Sequence, residues 1–486
     1  MAHKSTLLFG ALALSLAAAQ SQDLATCLQQ GSTNDTVILP SSFGYEAAAY
    51  ATFNQRLLYN PTAVVYPTTA QDIQRYVRCA AASGVPIAAR SGGHSYASYD
   101  LGGVDGAIVV DLSNMTSVVV HDDGTAYIQT GNRLGDMARK LWDQGRRSVP
   151  HGFVETVGTG GHISFGGMGA WSRRHGLAQD RVIGAEIVLA NGTILTASHT
   201  NQPDLFWAIR GAAPSFGIVT QWIMDTLPTD PSVITYTVDY DAVTTSTQLS
   251  QIFQRWQATV ASAPDESWLA SRVARATTAS DLTLQLRGVY FGTQDQFNAY
   301  TANWTTLFSP GRLSSQAHDW YGGIIAPLST STIPRRLNVF GKSLMTNDSV
   351  IPERWDSMCE YIFSAGMNAS LPWWFESYSY GGAISRQGTD ATSFASRDAL
   401  FSYQWWGYTP ANTAFPSDGI SFVDGMLKAL EPNPQKAYPN YVDPTLSADE
   451  WKQQYYGDHY ERLARIKRAV DPNNVFRFAQ SIEVAE

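Results

Sequence analysis

Two glycine-rich stretches, each beside an apolar run, dictate the backbone geometry of this chain more than any other feature. The first, Ala89–Ala97, reads ARSGGHSYA and follows Val85–Ala88, which predicts a short buried strand. The adjacent glycines Gly92 and Gly93 permit a sharp turn and the close approach of another molecule. Consecutive N–H groups in such a turn form a concave anion site, in which His94 would place a nucleophilic imidazole. The alternative is an ordinary Gly-Gly turn that carries a histidine by chance.

The second stretch, Gly158–Gly169, has six glycines in twelve residues. It is followed by Val182–Gly192, which predicts a strand that ends at an Asn-Gly turn. The spacing differs from the G-x-G-x-x-G that follows a strand in dinucleotide-binding domains, and it lacks the Gly-Lys-Ser/Thr of a P-loop. Two separate glycine loops therefore indicate a long, doubly charged ligand that the backbone binds from two sides.

Composition limits the size of the fold and the class of partner. The 486 residues are 44% hydrophobic and 15% charged, which is ample for a large core and for two or three domains. The net charge of -9 argues against a nucleic acid or an anionic membrane as a partner. Aromatic residues make up 12% of the chain and suit either a large core or platforms for sugar rings, with core packing as the main use.

The N-terminal residues have the pattern of a secretory signal peptide. Lys4 supplies the positive charge, Leu7–Ala18 is apolar but too short for a membrane span, and Ala17–Ala19 offers small residues for cleavage. We therefore expect residues 1–19 to be removed and the protein to be extracellular. Sequons for N-glycosylation agree with secretion and occur at Asn34, Asn114, Asn191, Asn303, Asn347 and Asn368.

Strands and helices alternate between residues 60 and 226, which predicts an α+β domain. The predicted strands there are Ala63–Tyr66, Ala107–Asp111 and Ala126–Thr130, and the predicted helices are Thr69–Ser83 and Leu134–Gln144. From about Pro228 the pattern changes to longer strands with helices between them, which predicts an antiparallel sheet backed by helices on one face. These elements are the strands Val233–Val238, Leu282–Phe291, Trp374–Tyr380 and Leu400–Trp406, and the helix Thr247–Ala261.

Alternation along these strands places chemistry-bearing side chains on common faces. Trp374, Glu376, Tyr378 and Tyr380 share one face of their strand. On the next strand, Gln404 and Trp406 likewise share a face. The last segment, Trp451–Val470, predicts one continuous helix that ends at Asp471-Pro472.

The runs RSGGHSY, VGTGGHISFGGMG, RHGLAQDRVIGAEIVLANG, PNYVDP and DPNNVF resemble those of the berberine bridge enzyme-like flavoproteins of the vanillyl-alcohol oxidase superfamily. Within this family the chain is most similar to the secreted fungal oligosaccharide oxidases, from about Cys27 to the C-terminus. The resemblance implies a two-domain α+β flavoprotein with FAD as cofactor. It implies an FAD-binding domain at 25–228, a substrate domain at 229–431 and a C-terminal return to the FAD-binding domain at 432–486.

The resemblance also implies how FAD is held. His94 would be bonded covalently to the 8α-methyl group of the flavin, and the backbone of the first glycine stretch would hold the pyrophosphate. The second stretch would close over the isoalloxazine and ribityl side, and His162 would act through hydrogen bonds. The further cofactor-binding residues implied are Arg90, Ser91, Gly92, Gly93, Ser95, Gly158, Gly161, Gly166, Gly217, Ile218, Val219 and Asn440.

Two valines bear on the reactivity of the flavin. Val154 stands where many relatives carry a cysteine that forms a second bond to the flavin, so we expect a single covalent bond through His94. The loss of that bond leaves room for electron acceptors other than O2. Val157 matches a position that faces the flavin as an oxygen gate, and a valine there favours O2.

The resemblance assigns the catalytic base to Tyr441. A free phenol has a pKa near about 10, so it needs a partner that lowers this pKa or takes its proton. Tyr378 lies where oligosaccharide oxidases have an assisting carboxylate, and Glu376 on the same face is the alternative. For Tyr441 the alternative is a packing or hydrogen-bonding role. The side chains proposed to contact substrate are Tyr96, Trp374, Gln404, Gln285 and Arg287, each of which could equally be structural.

The expected reaction is oxidation of the anomeric C1 hydroxyl of a mono- or oligosaccharide to a lactone, with hydride passing to flavin N5 and O2 giving H2O2. The alternatives are a berberine bridge enzyme-like oxidase that tailors a small secondary metabolite, a carbohydrate dehydrogenase with another acceptor, and a flavin-free binding glycoprotein. The family implies a disulfide between Cys27 and Cys79, which leaves Cys359 as a buried thiol. We expect a monomer without a metal ion.

Overall fold

The computed structural model describes residues 23–31, 36–241, 243–275, 282–329 and 336–486. The predicted signal peptide, residues 1–19, and the sequon at Asn34 lie outside these ranges. No helix in the described ranges has the length and apolar character needed to cross a membrane.

The described residues up to 228 form three small sheets with helices between the strands. The strands are β1 (Val37–Ile38), β2 (Ala63–Val65), β3 (Ile87–Arg90), β4 (Ile108–Asp111), β5 (Val118–Val120), β6 (Thr125–Gln129), β7 (Arg147–Ser148), β8 (Val182–Leu189), β9 (Ile194–Ser198), β10 (Gly217–Asp225) and β11 (Leu227–Pro228). The helices are α1 (23–29), α2 (Tyr45–Ala49), α3 (Ala70–Ser83), α4 (Leu134–Asp143), α5 (Thr159–Ser164), α6 (Ser172–His175) and α7 (Pro203–Ala212). The sheet orders are β1-β2-β4-β3, β5-β6-β10-β8-β9 and β11-β7.

Helix α3 shows how local sequence sets these elements. Thr69 caps it in a reciprocal capping box with Asp72, and Gly84 ends it at a φ of 65°. The buried face of α3 carries Cys79, which forms a disulfide with Cys27 of α1 at a Cα–Cα distance of 5.9 Å. The predicted disulfide is therefore confirmed, and it ties the first described helix to the domain core.

The second half of the chain builds one antiparallel sheet of seven strands in the described residues, in the order β15-β12-β14-β13-β17-β18-β16. These strands are β12 (Val233–Tyr240), β13 (Ser267–Arg275), β14 (Thr283–Phe291), β15 (Arg312–His318), β16 (Leu337–Thr346), β17 (Trp373–Ser379) and β18 (Phe401–Pro410). The helices between them are α8 (Ser246–Ala261), α9 (Gln294–Tyr300), α10 (Trp304–Leu307), α11 (Ala326–Ser329), α12 (Pro352–Ser364), α13 (Ala383–Arg386) and α14 (Gly419–Leu430). Sequence patterning did not bring out β13, β15 or β16.

The two faces of this sheet have different neighbours because alternate side chains point to opposite sides. Phe375 and Tyr403 pack against apolar residues of α8, α12 and α14, including the buried thiol of Cys359. Glu376 and Gln404, which are paired in register, point away from that core. The predicted antiparallel sheet with helices on one face is confirmed.

The C-terminal segment corrects one prediction. A single helix over Trp451–Val470 is wrong, because α15 (Ala448–Trp451) and α16 (Tyr460–Val470) are separated by a π-helical turn and by Gly457 at a φ of 48°. Residues of both helices pack into the core built by β6, β8 and β10. We therefore propose domain boundaries at 228/229 and 431/432, with 432–486 returning to the domain that begins near residue 25.

Candidate active site

A cavity of about 1210 Å³ lies between the two glycine-rich stretches and the polar face of the seven-stranded sheet. Its first half is walled by glycine backbone and by Ile218 and Val219 of β10. Its second half is walled by side chains of β12–β15, β17 and β18, with Tyr441 among the lining residues. The cavity is therefore large enough for an extended cofactor together with a substrate.

The two glycine-rich stretches touch each other. A Cβ on Gly92 would lie 2.1 Å from the amide nitrogen of Gly158, and a Cβ on Gly158 would lie equally close to the nitrogen of Gly92. Gly93 has a φ of 67°, which only glycine adopts readily. Among the described residues, the N–H groups of 92–95 have no hydrogen-bond acceptor. Free N–H donors in a glycine turn that lines the cavity fit the phosphates of FAD.

The second stretch differs from the predicted loop. Residues Thr159–Ser164 form the short helix α5, with Gly158 as its N-cap. A Cβ on Gly161 would meet nothing within 4 Å, so this position leaves open space along the cavity wall. The first half of the stretch therefore supplies a helical turn and a clear surface, whereas residues 165–169 form a loop in which Gly166 and Gly167 have positive φ.

Most of the predicted cofactor-binding residues line this cavity. They are Ser91, Gly92, Gly93, His94, Ser95, Val154, Val157, Gly158, Gly161, His162, Gly217, Ile218, Val219 and Asn440. Arg90 and Gly166 do not line it. Arg90 is the last residue of β3, and its buried side chain pairs with Asp111 at 2.7 Å and donates to the carbonyl oxygen of Ala48.

His94 projects from the first stretch with one ring nitrogen engaged. Its Nε2 lies 2.9 Å from Oγ1 of Thr156, and its ring stacks on Phe53 with centroids 4.7 Å apart. Within the described part of the chain, its Nδ1 has no hydrogen-bond partner. Burial, aided by the positive charge of Arg133, lowers the pKa of His94 to about 3. The imidazole is therefore neutral, which is the nucleophilic form.

His162 and Asn440 join the second stretch to the C-terminal segment. Nε2 of His162 accepts a hydrogen bond from the amide of Gly152 at 3.2 Å, and burial lowers its pKa to about 3. The side-chain amide of Asn440 donates to the carbonyl oxygen of His162 at 3.1 Å and to the Tyr438 hydroxyl at 3.0 Å. These contacts position the Pro439–Tyr441 turn over the cavity.

Glu376 is the centre of a charged network on β17. Its Oε1 accepts hydrogen bonds from Arg272 at 2.9 Å and from Arg287 at 2.7 Å, while its Oε2 accepts one from the Tyr378 hydroxyl. Burial acts to raise the pKa of Glu376, but the Arg287 and Arg272 guanidiniums and the Tyr378 hydrogen bond together hold it below its ordinary value. Glu376 is therefore a buried carboxylate that stays ionised.

Tyr441 stands next to this network. Its ring stacks on Tyr96 at 5.8 Å between centroids and meets Tyr438 edge-on at 4.9 Å. Burial, followed by the neighbouring Tyr96, Tyr438 and Glu376, raises its pKa well above 10, and a hydrogen-bonding interaction with Tyr378 acts in the opposite direction. Tyr441 is thus protonated at neutral pH, and as a base it must pass its own proton onward.

The predicted substrate contacts gather around the same end of the cavity. Gln404 donates to the Tyr96 hydroxyl at 2.6 Å, and its Oε1 lies 3.1 Å from the Tyr378 hydroxyl. Trp374 stacks on Trp406 at 4.7 Å. Gln285 lines the cavity and donates to Asp239 at 2.7 Å. Tyr380, which the sequence places on the same strand face, lies beyond the end of β17 and does not line the cavity.

Several residues of the site, among them Phe53, Thr156, Tyr438 and Arg272, were not predicted from the sequence. Phe53 and Thr156 contact His94 from separate loops, and no local sequence pattern predicts either contact. Tyr438 accepts from the amides of Gly167 and Met168 at 3.0 and 3.1 Å, and its place three residues before Tyr441 was a usable signal. Arg272 lies on β13, whose alternation over Ser267–Arg275 could have revealed the strand.

Comparison with known proteins agrees with this geometry. Residues 61–198 match the model of an FAD binding domain, and residues 437–483 match the berberine and berberine like family. The chain is 35% identical over 458 residues to a xylooligosaccharide oxidase of Thermothelomyces thermophilus, covering 89% of each chain. It is 33% identical to the FAD-linked oxidoreductase sorD of Penicillium rubens, over 94% of this chain and 98% of the relative.

A solved structure extends the likeness to the cofactor. Glucooligosaccharide oxidase from Acremonium strictum, described with a 6-S-cysteinyl, 8α-N1-histidyl FAD, superposes with a TM-score of 0.86 at 30% identity, over 95% of this chain and 99% of that one. The fold and the cavity define a two-domain flavoprotein oxidoreductase of the vanillyl-alcohol oxidase type, with FAD as its cofactor. The chain belongs to the berberine bridge enzyme-like FAD-linked oxidases.

Proposed function

We propose that this protein is a secreted carbohydrate oxidase that converts the anomeric C1 hydroxyl of a mono- or oligosaccharide to a lactone. The observation that carries the proposal is the hydrogen bond from Tyr378 to an ionised Glu376, in a cavity that Tyr441 also lines. Relatives named xylooligosaccharide and glucooligosaccharide oxidase support a sugar as the substrate. The aromatic and amide side chains of Trp374 and Gln404 suit a ring with several hydroxyls.

The cofactor would be held by one covalent bond through His94. Because Nε2 faces Thr156, Nδ1 is the ring nitrogen left to bond the 8α-methyl group. The position of Val154 lines the cavity without a thiol. Cys27 and Cys79 are paired, and Cys359 is buried in the helical core, so none of the three cysteines in the sequence reaches the flavin side. The backbone of Gly92–Ser95 would hold the pyrophosphate.

When bound, FAD would supply the hydride acceptor and would pass the electrons on to an acceptor. Tyr441 takes the proton of the C1 hydroxyl as its own proton moves to Tyr378 and that of Tyr378 moves to Glu376. The carboxylate becomes neutral as the proton arrives, so no phenolate with a raised pKa has to persist. The arginines keep Glu376 ionised before each turnover. Gln404 orients Tyr378 and Tyr96 through its hydrogen bonds to their hydroxyl groups.

We propose O2 as the electron acceptor, with H2O2 as the second product. Val157 lines the cavity at the position expected for an oxygen gate, where a small side chain leaves room for O2. A bulkier leucine there would favour a dehydrogenase. Val157→Leu should therefore lower peroxide formation more than it lowers the reduction of an artificial dye.

Secretion accounts for further features of the chain. The disulfide requires an oxidising compartment. The five sequon asparagines in the described residues are all exposed at the surface, as glycosylation requires. These are Asn114, Asn191, Asn303, Asn347 and Asn368.

A second candidate is a tailoring oxidase that acts on a small secondary metabolite. The observation that favours it is Tyr378, which stands where we expect a carboxylate in oligosaccharide oxidases. The similarity to the FAD-linked oxidoreductase sorD, whose name specifies no sugar, also supports this candidate.

One screen separates the two candidates. The holoenzyme is incubated with reducing mono- and oligosaccharides, once with O2 and once with an artificial dye, and peroxide, dye reduction and aldonic acid are measured. The proposed function predicts aldonic acid from at least one reducing sugar and none from its methyl glycoside, in which C1 carries no free hydroxyl. Silence on every sugar from an enzyme that carries FAD would support the tailoring role.

A further inference from the structure

The charges at the substrate end of the cavity do not balance. Both Arg272 and Arg287 bond the same oxygen of Glu376, at 2.9 and 2.7 Å. One guanidinium neutralises one carboxylate, so the second leaves an excess positive charge. Asp100 is the other carboxylate among the described lining residues, and it lies against Gly93 in the glycine turn.

The guanidiniums, and not the carboxylate, face the open space. The side chains of Arg272 and Arg287 are 34% and 39% exposed, whereas that of Glu376 is 4% exposed. Nε of Arg287 is buried and has no hydrogen-bond partner. Each arginine uses one terminal nitrogen on Glu376, and its other terminal nitrogen bonds no described residue. The other terminal nitrogen of each guanidinium is therefore available to an acceptor in the cavity.

One wall beside the two arginines is polar and uncharged. Gln285, Thr237, Ser314 and Gln316 line the adjoining wall. Asp239 lies on the same face of β12, two residues after Thr237, where it accepts from Gln285 at 2.7 Å and from Thr237 at 2.6 Å, and it does not line the cavity. This wall can hydrogen-bond hydroxyl groups while the arginines bind an anion.

We propose that the substrate is an acidic sugar of the uronic acid class, whose carboxylate binds between Arg272 and Arg287. The proposal rests on the proposed oxidation of carbohydrates and specifies its substrate. The planar fork of a guanidinium matches a carboxylate with two parallel hydrogen bonds. The Trp374 ring, over which Arg272 lies at 4.9 Å, would form the floor of the same subsite.

Binding of methyl glycosides tests this subsite without requiring oxidation, because C1 has no free hydroxyl in them. Titration calorimetry on the FAD-loaded protein would compare methyl β-glucuronide with methyl β-glucoside near pH 6. We expect the glucuronide to bind at least about tenfold more tightly, since hydrogen bonds to charged groups are the stronger ones. The preference should shrink as salt is added. Equal affinities would overturn the proposal.

Two variants locate the effect. Arg272→Gln and Arg287→Gln each leave one guanidinium on Glu376, and each should cut the glucuronide preference about tenfold. Arg312→Gln is the matched control, because it removes the same charge from the exposed end of β15, where Arg312 pairs with Asp241. It should leave the preference unchanged. A preference that survives in both Arg272→Gln and Arg287→Gln would contradict the assignment.

Two further measurements keep the outcome clear. Flavin absorbance and Tm identify any variant that fails to fold. Arg287→Lys, which keeps the positive charge but not the planar fork of donors, should retain part of the preference for the glucuronide.

Methyl glucoside 6-phosphate is the third ligand. Tighter binding of this phosphate ester than of the glucuronide would overturn the assignment of a carboxylate as the bound anion. If the glucuronide is preferred but no reducing sugar is oxidised, the proposed function fails while the anion subsite stands.

Discussion

Tyr378 donates the hydrogen bond of its phenol to the carboxylate of Glu376, two residues before it on β17. The contact is possible because side chains two residues apart stand on the same face of a strand. Arg272, on the adjacent strand β13, and Arg287, on β14 one strand further away, keep that carboxylate ionised despite its burial. Glu376 is therefore a proton acceptor with a lowered pKa, and the phenol of Tyr378 lies between it and Tyr441.

The pH dependence of turnover should follow Glu376. Because its folded-state pKa is lowered, the carboxylate stays ionised at mildly acidic pH, and kcat should fall only when the pH drops through that lowered value. Glu376→Gln should lower kcat by about 10²-fold and remove this acidic limb. The check is a profile of kcat from pH 3 to 8 for both proteins. An unchanged acidic limb in the variant would assign it to another group.

Removal of the Tyr441 hydroxyl should slow chemistry without unfolding the protein. Tyr441→Phe keeps the ring that stacks on Tyr96, so Tm should stay near that of the wild type while kcat falls about 10²- to 10⁴-fold. Tyr361→Phe is the control, since its hydroxyl donates to Phe422 on the helical side of the sheet. Comparable losses of kcat in both variants would mean that Tyr441 has no special role.

The covalent bond to the flavin should depend on His94. His94→Ala should release FAD when the protein is denatured, whereas the wild type should keep yellow colour and flavin fluorescence on the polypeptide. His121→Ala, a change at an exposed histidine, should behave as the wild type does. The readout is fluorescence after denaturing electrophoresis, with mass spectrometry of the peptide that contains residue 94. Flavin retained in His94→Ala would refute this attachment.

A thiol at position 154 should create a second bond. Val154 lines the cavity, and Val154→Cys would place a cysteine where we expect relatives to attach the flavin. In the His94→Ala background, Val154→Cys should restore flavin that resists denaturation, and Val154→Ser should not. Absence of any attachment would show that this position does not reach the flavin ring.

The disulfide should contribute to stability. Cys27 and Cys79 are 52 residues apart in sequence. A disulfide that closes a loop of this size restricts the unfolded chain and so stabilises the folded protein by about 2–4 kcal/mol. The double change Cys27→Ser with Cys79→Ser should lower the free energy of urea unfolding by that amount. A reductant should lower the wild type to the same value and leave the variant unaffected. If the variant is as stable as the wild type, the helix pair is held by packing alone.

Local pattern sufficed for much of the fold and of the site. The strand faces of Trp374, Glu376 and Tyr378, the cap of α3 at Thr69 and the turn at Gly93 all follow from residues next to one another in sequence. The prediction of a continuous helix over Trp451–Val470 was wrong, because it followed the helical spacing and gave no weight to Gly457, whose positive φ interrupts the helix. A short run of side chains specifies φ, ψ and the face of a strand, so such features need no knowledge of the rest of the molecule.

Residues distant in sequence meet only through the tertiary structure. Arg272 reaches Glu376 because β13 lies between β14 and β17, and Thr156 reaches His94 because the two glycine stretches pack together. The strand order and the packing of loops are set by burial of the whole core, and no segment encodes its partner alone. Sequence therefore determined which groups are available and which way they face, and the packing of distant segments decided which of them share a charge, a proton and a cavity.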